Sequence, residues 1–83
     1  MKTIMEDARK YKNAEEMEKT YNVVFNDETS SNDKGFKESY NYCMNYIKSN
    51  NGTNNSYFAS YKGGTVSIVC NETGETVFET NVF

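Results

Sequence analysis

Five residue types are missing from the 83-residue chain: Leu, Gln, Pro, His and Trp. Histidine is the side chain that titrates near neutrality unaided, so its absence removes the usual operator of acid–base, triad and zinc chemistry. Cysteine is nearly missing too, with only Cys43 and Cys70, and the 26 residues between them match no zinc, redox or haem spacing. A metal site would need further soft ligands that the chain does not supply. Both thiols read as small core hydrophobes, and a reducing cytosol would keep them from pairing even where a helix carrying Cys43 crosses a strand carrying Cys70. No cofactor and no metal are expected.

Long apolar runs are absent as well. No stretch approaches the ~18–20 residues needed to cross a bilayer, and the opening Met1-Lys2-Thr3-Ile4-Met5-Glu6-Asp7 has no apolar core of a signal peptide. The expectation is a cytoplasmic protein with no membrane contact. Positive charge is in deficit: twelve acids stand against nine bases, net −3, so a binder of the phosphate backbone is disfavoured and no direct nucleic acid is expected. Stacking of bases on Tyr57, Phe58 or Tyr61 would need a cationic groove, and only Lys62 is near. Gly63-Gly64 joins two predicted strands instead of opening a helix, so no dipole end faces a phosphate. With Gly35 as the sixth position of a calcium loop, Lys34 and Asn41 fall where carboxylates belong. The carboxylates sit on predicted helix exteriors or turns, outside any apolar pocket that would raise one pKa for catalysis. Neither a nucleophile–base pair nor a metal set can be assembled, and the chain reads as non-enzymatic.

What is present is aromatic and polar. Twelve rings, seven Tyr and five Phe, argue for a folded chain despite a mean hydropathy of −0.86, and the length supports a single domain over 1–83. Helical periodicity precedes Asn50 and strand alternation follows it. Thr3-Ile4-Met5-Glu6 fits a capping box and predicts a short helix over about 4–12. A second is predicted over about 14–21, and Tyr21-Asn22-Val23-Val24-Phe25 reads as a short strand or extended segment. Asn26 to Gly35 reads as an exposed loop. The main helix, over about 34–49, follows from Phe36, Tyr40, Cys43 and Ile47 stepping by four, three and four, closed by Asn50-Asn51-Gly52.

A three-stranded antiparallel β-meander over about 56–82 follows, turned at Lys62-Gly63-Gly64-Thr65 and Asn71-Glu72-Thr73-Gly74. Its register sets Tyr57, Ala59, Tyr61, Val66, Ile68, Cys70 and Phe78 on one face, which should receive the long helix. The other face carries Phe58, Ser60, Ser67, Val69, Val77 and Glu79. The fold class is therefore α+β, helices first and sheet second.

Two surfaces are candidate docking sites. Glu15, Glu16 and Glu18, with Asp27 and Glu28 in the loop, would form a negative patch able to steer the chain onto Lys and Arg of another protein. Tyr42 and Tyr46, four apart on the flank of the long helix, offer rigid ring area with a hydrogen-bonding tip, the usual material of protein interfaces. The face of Phe58, Val69 and Val77 is either covered by the N-terminal helices or open to a partner, and the alternative to a docking protein is a homodimer formed through that face or through the sheet edge ending at Phe83.

In overall style, with a helical first half, a glycine-turned meander, acidic balance, small size and residue usage of an AT-rich genome, the chain resembles small phage and mobile-element inhibitors of the anti-CRISPR kind. That resemblance implies an inhibitor or modulator docking on a host protein, such as a nucleic-acid-binding nuclease, by its basic surface.

Overall fold

The computed structural model describes residues 19–83. The helix predicted over 4–12 and residues 14–18 of the one predicted over 14–21, and with them Glu15, Glu16 and Glu18, lie outside the described residues. The described part is α+β: β1 (Tyr21–Asn26), β2 (Ser31–Asp33), α1 (Tyr40–Asn50), α2 (Tyr57–Ser60), β3 (Thr65–Cys70) and β4 (Thr76–Asn81). The strands form one antiparallel sheet in the order β2-β1-β3-β4.

The expected order of helices first and sheet second is thus corrected. Two strands precede α1, and the sheet has four strands where three were expected. Tyr21, read both as the end of a helix and as the start of a short strand or extended segment, opens β1, so the strand reading of Tyr21–Phe25 holds. Alternation does the work there: Val23 and Phe25 point to the core and pair with Ile68 and Val66 of β3, all four fully buried. Asp27 turns the chain back, and β2 lies along β1 with Val24 opposite Asp33. The predicted loop of residues 26–35 therefore contains a strand.

The main helix begins six residues later than the 34 expected. Residues 34–38 still accompany β1: the Lys34 amide donates to the Val23 carbonyl (2.9 Å), the Tyr21 amide to Glu38 (2.7 Å), and the Phe36 amide to Asn22 Oδ1 (2.7 Å). Those backbone groups are committed to β1, so α1 starts at Tyr40, with Ser39 Oγ accepting from the Tyr42 amide at 3.0 Å as its N-cap. Cys43 and Ile47, four apart, are buried against the sheet, on the face expected to receive them.

The first predicted strand of the meander is not a strand. Tyr57–Ser60 is one helical turn, and its rings explain why. The Tyr57 and Tyr61 centroids lie 6.0 Å apart, and both rings, with Phe58, surround Phe25. Four residues of extended chain would hold 57 and 61 about 13 Å apart, whereas a helical turn stacks i on i+4. Phe58, expected on the opposite face with Val69 and Val77, is consequently in the core at 0% exposure.

The Gly63-Gly64 pair links helix to strand instead of strand to strand. Gly64 is there for space: a Cβ would stand 2.3 Å from the Asn26 carbonyl oxygen, a backbone atom that cannot yield. The second turn is as expected, with Gly74 at φ +76 closing residues 71–74 between β3 and β4. A bulge follows: Val69 faces Thr76 while Ile68 faces Phe78, leaving Val77 as the extra residue.

Candidate docking surface

The two tyrosines of the helix flank are brought together, though through a residue the sequence misplaced. Phe36, expected inside the helix, sits in the extended approach to it and takes both rings edge-on: Tyr42 at 5.5 Å and 86°, Tyr46 at 5.2 Å and 86°. Edge-to-face contact of this kind is worth about 0.5–1.5 kcal/mol beyond area burial, enough to favour one orientation of a surface ring. Tyr42 remains 48% exposed, the most exposed tyrosine ring among the described core and surface aromatics. Tyr46 leans the other way, onto Phe58 at 5.6 Å, and so joins the strip to the core.

Lys34 extends the strip. Its Nζ lies 5.9 Å from the Tyr46 centroid and 5.5 Å from that of Tyr57, and donates to Ser56 Oγ at 3.0 Å. A cation over a ring at this range is worth about 0.5–1 kcal/mol at an exposed site. Ser56 itself has φ +53 and ψ −141, a conformation costing on the order of 1–3 kcal/mol in a non-glycine residue. The Lys34 bond and the packing of Tyr57 and Phe58 just beyond it hold that backbone in place. Beside Tyr42 and Tyr46, Asn45, Ser49 and Asn50 complete a shallow depression of about 290 Å³.

Of the acidic surface, Asp27 and Glu28 fall among the described residues. Asp27 and Glu28 are both exposed on the β1–β2 turn. Asp27 Oδ1 accepts from the amides of Thr29 and Ser30, each at 2.8 Å, and from both hydroxyls, at 3.1 and 3.3 Å. Those bonds, the Thr29 amide first, hold the carboxyl below its ordinary value, so it stays charged while serving as the clasp of its own turn. Glu28 shares with it the wall of an open cleft of about 560 Å³ whose far side holds Lys62. That lysine donates to the carbonyls of Thr53 (3.4 Å) and Phe83 (3.0 Å). Among the described residues, then, the predicted negative patch comes down to two carboxylates, one of them occupied.

Glu72 is likewise a clasp. It accepts from the Thr20 amide (2.9 Å) and hydroxyl (3.1 Å), which holds its pKa below the ordinary value. Both cysteines are buried free thiols. Cys43 donates to the Tyr21 carbonyl at 3.4 Å, and burial, aided by Glu38, pushes its pKa up, the opposite of what a reactive thiol requires. Among the described residues no group of three or more Cys, Asp or Glu is placed to hold a metal, and no helix is long and apolar enough to cross a membrane.

Of the surfaces expected to pair two copies, the patch of Phe58, Val69 and Val77 does not exist: Phe58 is internal, Val69 half-buried, and only Val77 is exposed, at 41%. The β4 edge is six residues long, but it carries the bulge at Val77, the charge of Glu79, and a side chain laid along its end, Asn51. These are devices that discourage edge pairing. Phe36, Lys34 and Asn51 are the site residues that sequence reasoning passed over. Phe36 stands four residues before Tyr40 and so continues the period of α1, but its backbone is bonded to β1. No family model, curated protein or solved structure matches the chain.

Proposed function

We propose that the chain is a non-enzymatic protein-binding module, an inhibitor or modulator of phage or mobile-element origin that works by covering part of a larger host protein. The observation that carries this reading is the exposed ring of Tyr42, locked edge-on against Phe36 beside the half-buried Tyr46. A ring held rigid in water loses little conformational freedom when a partner covers it, and Tyr is enriched where interfaces concentrate their energy. The net charge of −3 favours a partner with a basic surface, such as a nuclease that binds nucleic acid.

The test is capture of a partner from host lysate by tagged protein over a salt series, with Tyr42→Ala in parallel. The expected result is one saturable partner whose retention weakens with ionic strength and is reduced roughly tenfold by the substitution, as for an interface hot spot. Capture unchanged by Tyr42→Ala, or catalytic turnover by the purified chain, would defeat the reading. Self-association has less support, because Phe58 is internal and the end of β4 is occupied by Asn51.

A further inference from the structure

Asn51 does two things at once. As the C-cap of α1 its backbone amide donates to the Ile47 carbonyl at 2.8 Å. Its side chain crosses to the strand: Nδ2 donates to the Asn81 carbonyl (2.9 Å), and Oδ1 accepts from the Phe83 amide (3.0 Å). One donor and one acceptor presented to residues two apart on a strand is what the peptide of a neighbouring strand would offer. Between them Val82 faces the other way, its amide on Gly64 and its carbonyl on Gly63. The Asn51 carboxamide thus stands in for a missing strand at the outer end of the sheet.

The residue after it is Gly52, exposed, at φ +91, with nothing within 4 Å of the place a Cβ would take. Of the twelve asparagines this alone is followed by glycine. That pairing has a chemistry of its own. The deprotonated amide nitrogen of the following residue attacks the asparagine Cγ; the N–Cγ bond forms, the Cγ–Nδ2 bond breaks and ammonia leaves. Water then opens the cyclic imide at either carbonyl, giving aspartate or isoaspartate. A side chain on the following residue hinders the attack, and glycine has none.

We propose that Asn51-Gly52 is a deamidation site, and that its conversion frees the outer end of β4. A carboxylate at 51 has no donor for the Asn81 carbonyl, so one bond becomes an opposition of lone pairs, and the new negative charge sits at the C-terminal end of α1, where the helix dipole disfavours it. The native fold restrains the reaction, because both side-chain atoms are engaged and the backbone is extended at ψ 131. The attack proceeds from transient openings of the cap.

The test is to hold the purified protein at mildly alkaline pH and follow each asparagine by peptide mapping with mass spectrometry, the other eleven serving as internal controls. Acid is expected to appear first at position 51. Acid accumulating there no faster than at the other eleven overturns the site. The structural consequence is read separately, by urea denaturation of Asn51→Asp against Ser49→Asp, which adds the same charge to the same helix end without touching β4. Asn51→Asp should lower the folding equilibrium constant roughly fivefold more than Ser49→Asp, the loss of about one hydrogen bond. Equal losses in the two variants overturn the release of β4 while leaving the site standing.

Discussion

Phe25 and Phe36 are each the hub of an aromatic cluster, and the two clusters use the same residue types at the same range. Phe25 meets Phe58, Tyr61 and Tyr57 at 4.9, 5.7 and 5.5 Å; Phe36 meets Tyr46 and Tyr42 at 5.2 and 5.5 Å. They differ in what lies outside. Around Phe25 the rings are closed in by β1, β3 and the turn of α2, and Phe25 is fully buried. Around Phe36 the strip runs out to Tyr42, half in water. In a chain without leucine the first cluster serves as the core. The second leans on the core through Phe36 and Tyr46 and carries Tyr42 beyond it, and that outer ring is what makes it a candidate surface.

The largest effect should come from the closed cluster. Phe25→Ala leaves a cavity that three rings border, and should cost about 3–5 kcal/mol, a large part of the 5–15 kcal/mol a small domain has. Loss of a cooperative urea transition, or a midpoint lowered in that proportion, is the expected observation. The corresponding change in the open cluster, Phe36→Ala, should cost less, because Phe36 is only partly buried where Phe25 is fully buried. Equal costs would erase the distinction between the two clusters.

Tyr61 sits where the closed cluster meets the surface, and its hydroxyl accepts from Asn32 Nδ2 at 2.6 Å and shares a hydrogen bond with Ser30 Oγ at 3.0 Å. This ties the β1–β2 turn to α2. Tyr61→Phe keeps the ring and removes the tie, and should cost about 1–2 kcal/mol, with faster amide exchange in residues 27–33 as the local signature. A cost without that local change would mean the hydroxyl acts elsewhere.

How much of this was legible before the structure follows from which physical signals a sequence carries. The body of α1 showed because Cys43 and Ile47 repeat at helical spacing and Ser39 is a strong cap; its start was misplaced because Phe36 continues the same period while its backbone belongs to β1. Tyr57 to Tyr61 satisfies both periods at once: 57, 59 and 61 alternate like a strand, and 57 and 61 also lie one helical turn apart. Only contact with Phe25 chooses between them. Ser31–Asp33 carries no hydrophobic signal, since all three residues are exposed; the side-chain bonds that help hold it, Asn22 Nδ2 to Asp33 Oδ2 at 2.7 Å and Asn32 Nδ2 to the Tyr61 hydroxyl at 2.6 Å, join residues distant in sequence. Tyr42 and Tyr46 were legible as a flank of the helix. Asp27 was legible as a turn residue, and the bonds that make it one keep its exposed carboxyl charged while engaging one of its oxygens.

The two clasping carboxylates mark opposite ends of the sheet and give a smaller effect, because both lie in water. Asp27 and Glu72 are held below their ordinary values of 3.8 and 4.5. A carboxyl depressed in the folded state adds stability above its unfolded value and loses it as pH falls through the folded one. The urea midpoint should therefore be level above about pH 5 and decline progressively below about 4.5. Asp27→Asn and Glu72→Gln together should flatten part of that decline, and an acid limb unchanged by the pair would show that the clasps contribute nothing.

The smallest effect is expected at the joint between the two clusters, and its sign is the informative part. The Tyr46 hydroxyl is buried and has no hydrogen-bond partner, an arrangement that costs a polar group its water without return. If the ring is present only to connect Phe36 to Phe58, Tyr46→Phe should leave stability unchanged or raise it by up to about 1 kcal/mol. The same variant should keep partner capture intact if Tyr42 supplies the docking tip, and lose it if the enclosed hydroxyl of Tyr46 turns outward to meet the partner. A stabilised Tyr46→Phe that no longer captures would therefore shift the docking contact from the exposed ring to the buried one, and would identify the unpaired hydroxyl as a group whose partner lies on another molecule.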